Sequence, residues 1–307
     1  MTTPESGAGD VKPSCRSMYD PMRHVLVRHP SSAYRSQDDL DRNWTRFGYT
    51  SAPDFVRACH EFDVFTACLE EAGSTVHVLR DECNAGPDAI YVHDAALTLG
   101  SSFLLGRMGK PEREGEPELY RTICSDRGWP ILGEIEAPGL LEGGDVVWLD
   151  DRTLAVGVGY RTNLAGLTQL RQIAGDEVDE IIPVPLPHFR GPESVLHLMS
   201  LLSPIGPGLM VLFRPLLPVP FLDGLEASGF TLIDVPQEEF DTLGVNVLAA
   251  TPSLAIMADG NPVTRRRIEA AGVRVLTYPG GEISLKGQGG PTCLTRPLVR
   301  EPAAPAW

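Results

Sequence analysis

The sequence predicts an α/β protein of five repeated units, each a strand hairpin followed by a helix and a third strand, packed around a common centre. Three observations carry this expectation. Short apolar runs with strand alternation are separated by turn residues. Single amphipathic helices fall between them, and the whole pattern recurs at intervals of roughly fifty residues.

The elements follow in order. "MTTPESGAGDVKPSC" has no basic stretch leading into an apolar core, so residues 1–19 are expected as a flexible tail and 20–307 as one domain. "HVLVRHP" gives a first strand, Asp54 to Gly73 an amphipathic helix, and "STVHVLRD" the strand after it. Between the first strand and that helix, "RSQDDLDRNWTRFGYTSAP" is polar, carries Trp44, Phe47 and Tyr49, and has no period. A long loop acting as a lid or binding segment is expected there. "AIYVHDAALTLGSSFLLGR" then reads as a hairpin. "LLEGGDVVWLDDRTLAVGVGYRTN" repeats it, with the helix "AGLTQLRQIAG" and the strand "EIIPVP". "VLHLMSLLSPIGPGLMVLFRP" repeats it again, with "PFLDGLEASG" and "TLIDVP". "GVNVLAATPSLAIMADG" does so once more, with "PVTRRRIEAAG" and "VRVLTYP". "GPTCLTRPLV" opens a fifth unit that the N-terminal strand, helix and strand complete.

Composition narrows the function classes. Hydrophobic residues are 42% and charged residues 22% of the 307, which is the range of a folded globular chain. With 41 acidic against 26 basic side chains the net charge is −15, which repels nucleic acid and anionic membrane. No segment approaches eighteen uninterrupted apolar residues, so a cytoplasmic protein is expected. Six cysteines (Cys15, Cys59, Cys68, Cys83, Cys124 and Cys293) form no metal-binding spacing, so neither a disulfide framework, a metal nor another cofactor is expected. "GSSFLLGRMGK" is not a phosphate-binding loop, and "GVGYRTN" lacks the full dinucleotide spacing.

One polar residue stands near the start of each unit: Asp94, Glu142, His197, Asn246 and Cys293. Subtraction gives separations of 48, 55, 49 and 47. A hairpin with one helix cannot bury its apolar faces alone, and a closed ring of such units brings equivalent positions to one central site. Taken singly, Cys293 reads as an inert buried thiol and His197, in "SVLHLMSLL", as a core histidine. The spacing of His197 from Glu142 and Cys293 reverses its reading, and the other four motifs standing in register reverse that of Cys293. A thiolate is a nucleophile, and an imidazole can move the protons that its attack requires. Two carboxylates suit a planar, permanently charged guanidinium. His188, in "PLPHFRGPE", is a rival base, but its Pro- and Gly-rich surroundings read as a connecting loop. Asn246 reads as a turn anchor and Asp145 as ordering the "EGGD" turn, whose glycines supply unusual backbone angles or close approach.

At these residues the chain resembles the guanidino-group-modifying enzymes of the pentein fold, a five-bladed α/β propeller with pseudo-fivefold symmetry. The resemblance covers essentially residues 20 to 300 and rests on "YVHDAAL", "LEGGDVVWL", "GYRTN", "VLHLMS" and "GGPTCLT" in combination. It implies Cys293 as nucleophile, His197 as general acid/base, and Asp94 and Glu142 as the carboxylates gripping a guanidinium. Asp88 matches a further substrate-contacting acid, and Arg113 and Arg161 match arginines that clamp a substrate α-carboxylate. His197-Leu198-Met199 departs from the His-x-Asp of arginine deiminases and amidinotransferases, which favours the dimethylarginine dimethylaminohydrolase branch. His93 stands where that branch has glutamate. The implied activity is hydrolysis of an arginine-like guanidine through a thiouronium intermediate, giving citrulline and an amine without a cofactor. Its partner is a small guanidino molecule, and assembly of several identical copies is compatible with it. A deiminase, dihydrolase or amidinotransferase is the neighbouring alternative, and a non-catalytic binding protein of the same fold the alternative of another class.

Overall fold

Among residues 11–80, 85–194 and 196–302, which the computed structural model describes, the chain forms five three-stranded sheets. The first unit runs β1 (Met22–Arg28), α1 (Pro30–Ala33), α2 (Gln37–Asn43), α3 (Phe55–Glu71) and β2 (Thr75–Leu79). The second is β3 (Ala96–Leu99), β4 (Ser102–Leu105), α4 (Glu116–Arg127) and β5 (Ile131–Glu134). The third is β6 (Val146–Trp148), β7 (Thr153–Val158), α5 (Leu164–Ala174) and β8 (Glu180–Pro185). The fourth is β9 (Leu202–Gly206), β10 (Leu209–Leu212), α6 (Val219–Ala227) and β11 (Thr231–Asp234). The fifth is β12 (Leu248–Thr251), β13 (Leu254–Ala258), α7 (Pro262–Ala270) and β14 (Arg274–Tyr278), after which β15 (Arg296–Arg300) returns to pair with β1.

Each sheet has the same wiring. Its middle strand pairs antiparallel with one neighbour and parallel with the other, as in β3-β4-β5 and β6-β7-β8. A tight turn suffices for the first connection, whereas the parallel one needs a crossover, which the helix supplies. The strands β15, β3, β6 and β9 are buried along their whole length, while β5 and β8 alternate with solvent. That difference explains why β3, β6 and β9 carry no charged residue, whereas β15 buries Arg296 and Arg300 at its two ends.

The core is divided among five apolar clusters, each joining two neighbouring units. Leu26 and Leu298 meet Phe103; Leu99 and Leu104 meet Trp148; Val147 meets Leu198 and Leu212; Val211 meets Val247; and Leu248 and Ile256 meet Val25 and Phe62. The last of these links the fifth unit back to the first. Among the described residues no helix is long and apolar enough to cross a membrane.

Three expectations need correction. Residues 1–10 of the expected tail lie outside the described residues, but residues 11–19 pack against the body. Trp129 Nε1 donates to the Val11 carbonyl at 2.7 Å, Ser14 exchanges backbone hydrogen bonds with the β15 strand, and Cys15 is 6% exposed. The segment covers a strand end whose amides otherwise lack partners. Residues 35–53 are not one long loop. Ser36 caps α2 by accepting from Asp39 N at 3.2 Å, Asp38 and Asp39 sit in its first turn, and Phe47 and Tyr49 are buried. The second unit also has a helix, α4, which buries Tyr120, Ile123 and Cys124 and ends at left-handed Gly128.

Candidate active site

The five repeat positions all lie just ahead of the strand that pairs antiparallel with the middle strand of its sheet. Asp94 precedes β3, Asn246 precedes β12 and Cys293 precedes β15. Glu142 and His197 begin the single helical turns Gly143–Asp145 and Leu198–Ser200 that lead into β6 and β9. His197 Nε2 lies 2.7 Å from Glu142 Oε2, and His197 Nδ1 lies 3.9 Å from Asp94 Oδ1. The amide of Asn246 donates to the Cys293 sulfur at 3.4 Å. Cys293, His197, Asp94, Asp88, Arg113 and Arg161 line one space of about 20 Å³.

Backbone amides fix this geometry. Gly144 N donates to Asp94 Oδ1 at 3.0 Å, Gly109 N to Glu142 Oε1 at 2.8 Å, and Thr292 N to Asn246 Oδ1 at 3.0 Å. Asp145 accepts from Leu198 N at 3.0 Å and so ties the "EGGD" turn to the turn carrying His197. The glycines serve close approach. A Cβ on Gly144 would stand 2.5 Å from His197 Nδ1, and one on Gly290 would stand 2.5 Å from the Asn246 side chain.

The arginines enter the site differently from expectation. Arg113 Nη1 donates to Asp94 Oδ2 at 2.6 Å, its Nε and Nη2 fork onto Glu116 at 2.8 and 2.7 Å, and Nη2 also reaches the Tyr91 carbonyl at 3.1 Å. Four hydrogen bonds on a buried side chain make it a fixed counter-charge. Arg161 lies on Glu142 more loosely, through one nitrogen at 3.1 and 3.3 Å. Asp88 accepts from Lys110 Nζ at 2.6 Å, and the same ammonium donates to the Phe47 carbonyl at 2.6 Å. Lys110 therefore ties the aromatic segment to the site, a role the sequence reading missed.

His93 is outside this space. It is buried, its Nδ1 pairs with the Thr295 carbonyl at 2.8 Å, and its backbone N–H donates to the Cys293 carbonyl. Burial, helped by Arg296, lowers its pKa to about 3, so it is a neutral brace between neighbouring units. His188 stands on an exposed segment, 2.6 Å from the Tyr160 hydroxyl, and is not among the residues lining the space.

Charge separates the remaining groups. Burial disfavours an imidazolium at His197, but Asp94, Asp145 and Glu142 outweigh it and raise the pKa to about 9. Burial opposes ionisation of Glu142 as well, yet Arg161 and His197 hold it down at about 2, and His197 with Arg113 keeps Asp94 ionised. Burial, with Asp94 adding to it, pushes the Cys293 thiol up to about 12 against the lowering effect of Asn246. At neutral pH the site holds an imidazolium, two carboxylates and a neutral thiol.

The donor atoms of Asp94, Glu142 and His197 come within 4.8 Å of one another, as the unit spacing leads one to expect. Both carboxylates already hold guanidinium groups, and the imidazole is protonated, so these residues suit an organic cation better than a metal ion.

A family model described as arginine deiminase matches residues 82–219 and 217–300. The arginine deiminase of Latilactobacillus sakei is 24% identical over 259 residues, which is 70% of this chain and 62% of that enzyme's length. A dimethylarginine dimethylaminohydrolase solved as its adduct with S-methyl-L-thiocitrulline is 25% identical, with a TM-score of 0.72 over 90% of this chain and 99% of the other. The amidinotransferase SxtG of Microseira wollei, 18% identical, shares the fold with a TM-score of 0.75 over 95% and 98%.

Proposed function

The chain belongs to the arginine deiminase family, whose relatives modify guanidino groups, and from this we propose that it is a cysteine hydrolase cleaving a C–N bond of an arginine-like guanidine. The observation that carries the reading is the meeting of Cys293, His197 and the ionised Asp94 in one small space, with the buried carboxylate of Glu142 held against His197 behind it. We further infer that the five sheets close into a five-bladed propeller, which the core cluster joining the last unit to the first supports.

In this reading the substrate guanidinium settles against Asp94, with Glu142 behind it, and its charge lowers the pKa of the adjacent thiol, which loses its proton to solvent because His197 is already protonated. Cys293 Sγ then forms a bond to the central guanidine carbon. The C–N bond to the leaving amine breaks as His197 gives that nitrogen its proton, leaving a thiouronium on sulfur. Water, deprotonated by His197, adds to the same carbon, and the C–S bond breaks to return the thiol and a ureido product. Two neighbouring carboxylates serve twice, holding the cation and keeping His197 protonated until it is needed.

Arg161 is the group we assign to a substrate carboxylate. Its single-nitrogen contact with Glu142 is the one that an incoming guanidinium can displace, whereas Arg113 is held by four hydrogen bonds. A space of about 20 Å³ holds a water molecule and not an arginine, so binding also requires the Phe47–Gly48 and Gly287–Gly289 segments to part.

The His197-Leu198-Met199 sequence supports a dimethylaminohydrolase, while the family match supports deimination of arginine itself. Offering arginine, monomethylarginine, dimethylarginine and agmatine separately, and measuring ureido product and released amine, tests both. Turnover of dimethylarginine with release of dimethylamine is expected. Failure to turn over any of the four would overturn the assignment.

A further inference from the structure

The centre of the molecule contains a second space, of about 30 Å³, lined by Cys15, His93, Thr98, Thr292, Arg296 and Arg300 together with apolar side chains of β3, β6 and β12. The mechanism uses none of these residues. Arg296 and Arg300 are 5% and 4% exposed. Their Nη atoms are occupied by backbone carbonyls. Arg296 Nη2 donates to His93 O, and Arg300 donates to Asp20 O at 2.6 Å and to Ala249 O at 2.8 Å. The Nε–H of each has no partner, and among the described residues neither arginine has a carboxylate within 4.0 Å.

Carbonyl dipoles satisfy hydrogen bonds, and the carboxylates of Asp94 and Asp20 act on Arg296 and Arg300 only from beyond 4.0 Å, so two like charges are buried without a counter-charge in contact. Isolated buried cations of this kind cost several kcal/mol each. The neighbouring groups do not supply the missing charge. Burial raises the pKa of Cys15 despite Arg300 and Arg296, so it stays a thiol whose S–H points to Ser17 O at 3.6 Å. Thr98 already donates to Pro297 O at 2.8 Å. The space admits at least one occupant of the size of a water molecule, which is also the scale of a monatomic anion.

We propose that this space binds a single small monovalent anion of the halide class, held by the Nε–H donors of Arg296 and Arg300. The anion is structural. It joins β15 to the strands facing it across the centre, directly beneath the turn that carries Cys293 and the His93 brace.

Thermal unfolding of the full chain in sodium chloride, against sodium gluconate at equal ionic strength, tests this. The melting temperature should rise with the logarithm of chloride concentration, by roughly 2–5 °C between 5 and 500 mM, and stay flat in gluconate. Arg300→Met, which keeps the side-chain length and removes the charge, should abolish the difference. Identical melting in the two salts, or a chloride-specific rise that persists in Arg300→Met, overturns the proposal. Bromide-soaked crystals of the unaltered protein give a test that needs no variant. An anomalous peak within hydrogen-bond distance of both Nε atoms supports the site, and a water there without bromide sinks it.

Discussion

Asn246 shows how one side chain can matter without touching the substrate. Its amide donates to Cys293 Sγ while its carbonyl oxygen accepts from Thr292 N, so it both aims the sulfur and favours the thiolate. Replacing it with alanine should lower kcat/KM roughly tenfold through the lost charge-assisted hydrogen bond, with little change in melting temperature. The proposed reaction needs a thiolate beside an imidazolium, although burial holds the thiol up at about 12 and the carboxylates raise the imidazole to about 9. Accordingly kcat/KM should climb tenfold per pH unit up to about 9 and level off above it, since each thiolate gained is then matched by an imidazolium lost. In Glu142→Gln the imidazolium loses the negative charge of its 2.7 Å partner, and the bend in that profile should move to lower pH. An unmoved bend would mean that Glu142 does not tune His197. The stability that His197 draws from its carboxylates has the corresponding sign. It is complete below about pH 6.5 and fades as pH rises through about 9.

At the scale of elements, the repeat made most hairpins and helices readable because each obeys one period and ends at a turn signal. What stayed hidden has physical reasons. Helix α4 is largely polar on its surface, and its buried trio Tyr120, Ile123 and Cys124 spans little more than one turn. Residues 35–53 looked aperiodic because their order comes from tertiary contacts: Phe47 and Tyr49 are core residues, and Lys110 reaches across from the second unit to the Phe47 carbonyl. The site was legible at Cys293, His197, Asp94 and Glu142, where unit spacing reports spatial equivalence. Arg113 was legible as a residue of the site but not as the partner of Glu116, which lies on a helix whose segment the sequence did not mark. Lys110 gives an element-level test. Lys110→Met leaves buried Asp88 without its cation and should cost about 3 kcal/mol in equilibrium denaturation. Amide exchange at residues 45–49 should quicken as well, because their tether to the second unit is cut.

For the molecule as a whole, the site is a product of how the units meet. Each contributes one repeat position, and no unit carries both Cys293 and His197. Residues 11–19 belong to this assembly, bridging β15, Gly100 and Trp129. Deleting residues 1–19 should therefore lower the melting temperature by several degrees, whereas a free tail would leave it unchanged. The central claim is that Cys293 is a nucleophile set beside a pocket for a guanidinium-like cation. Labelling the native protein with 2-chloroacetamidine, a cationic amidine, and mapping the modified cysteines by peptide mass tests that claim most directly. The account predicts that Cys293 reacts first, well ahead of Cys15, Cys59, Cys68 and Cys124, and that Glu142→Gln removes this advantage while leaving uncharged chloroacetamide labelling much less affected. Modification of Cys293 no faster than that of the other cysteines would contradict it.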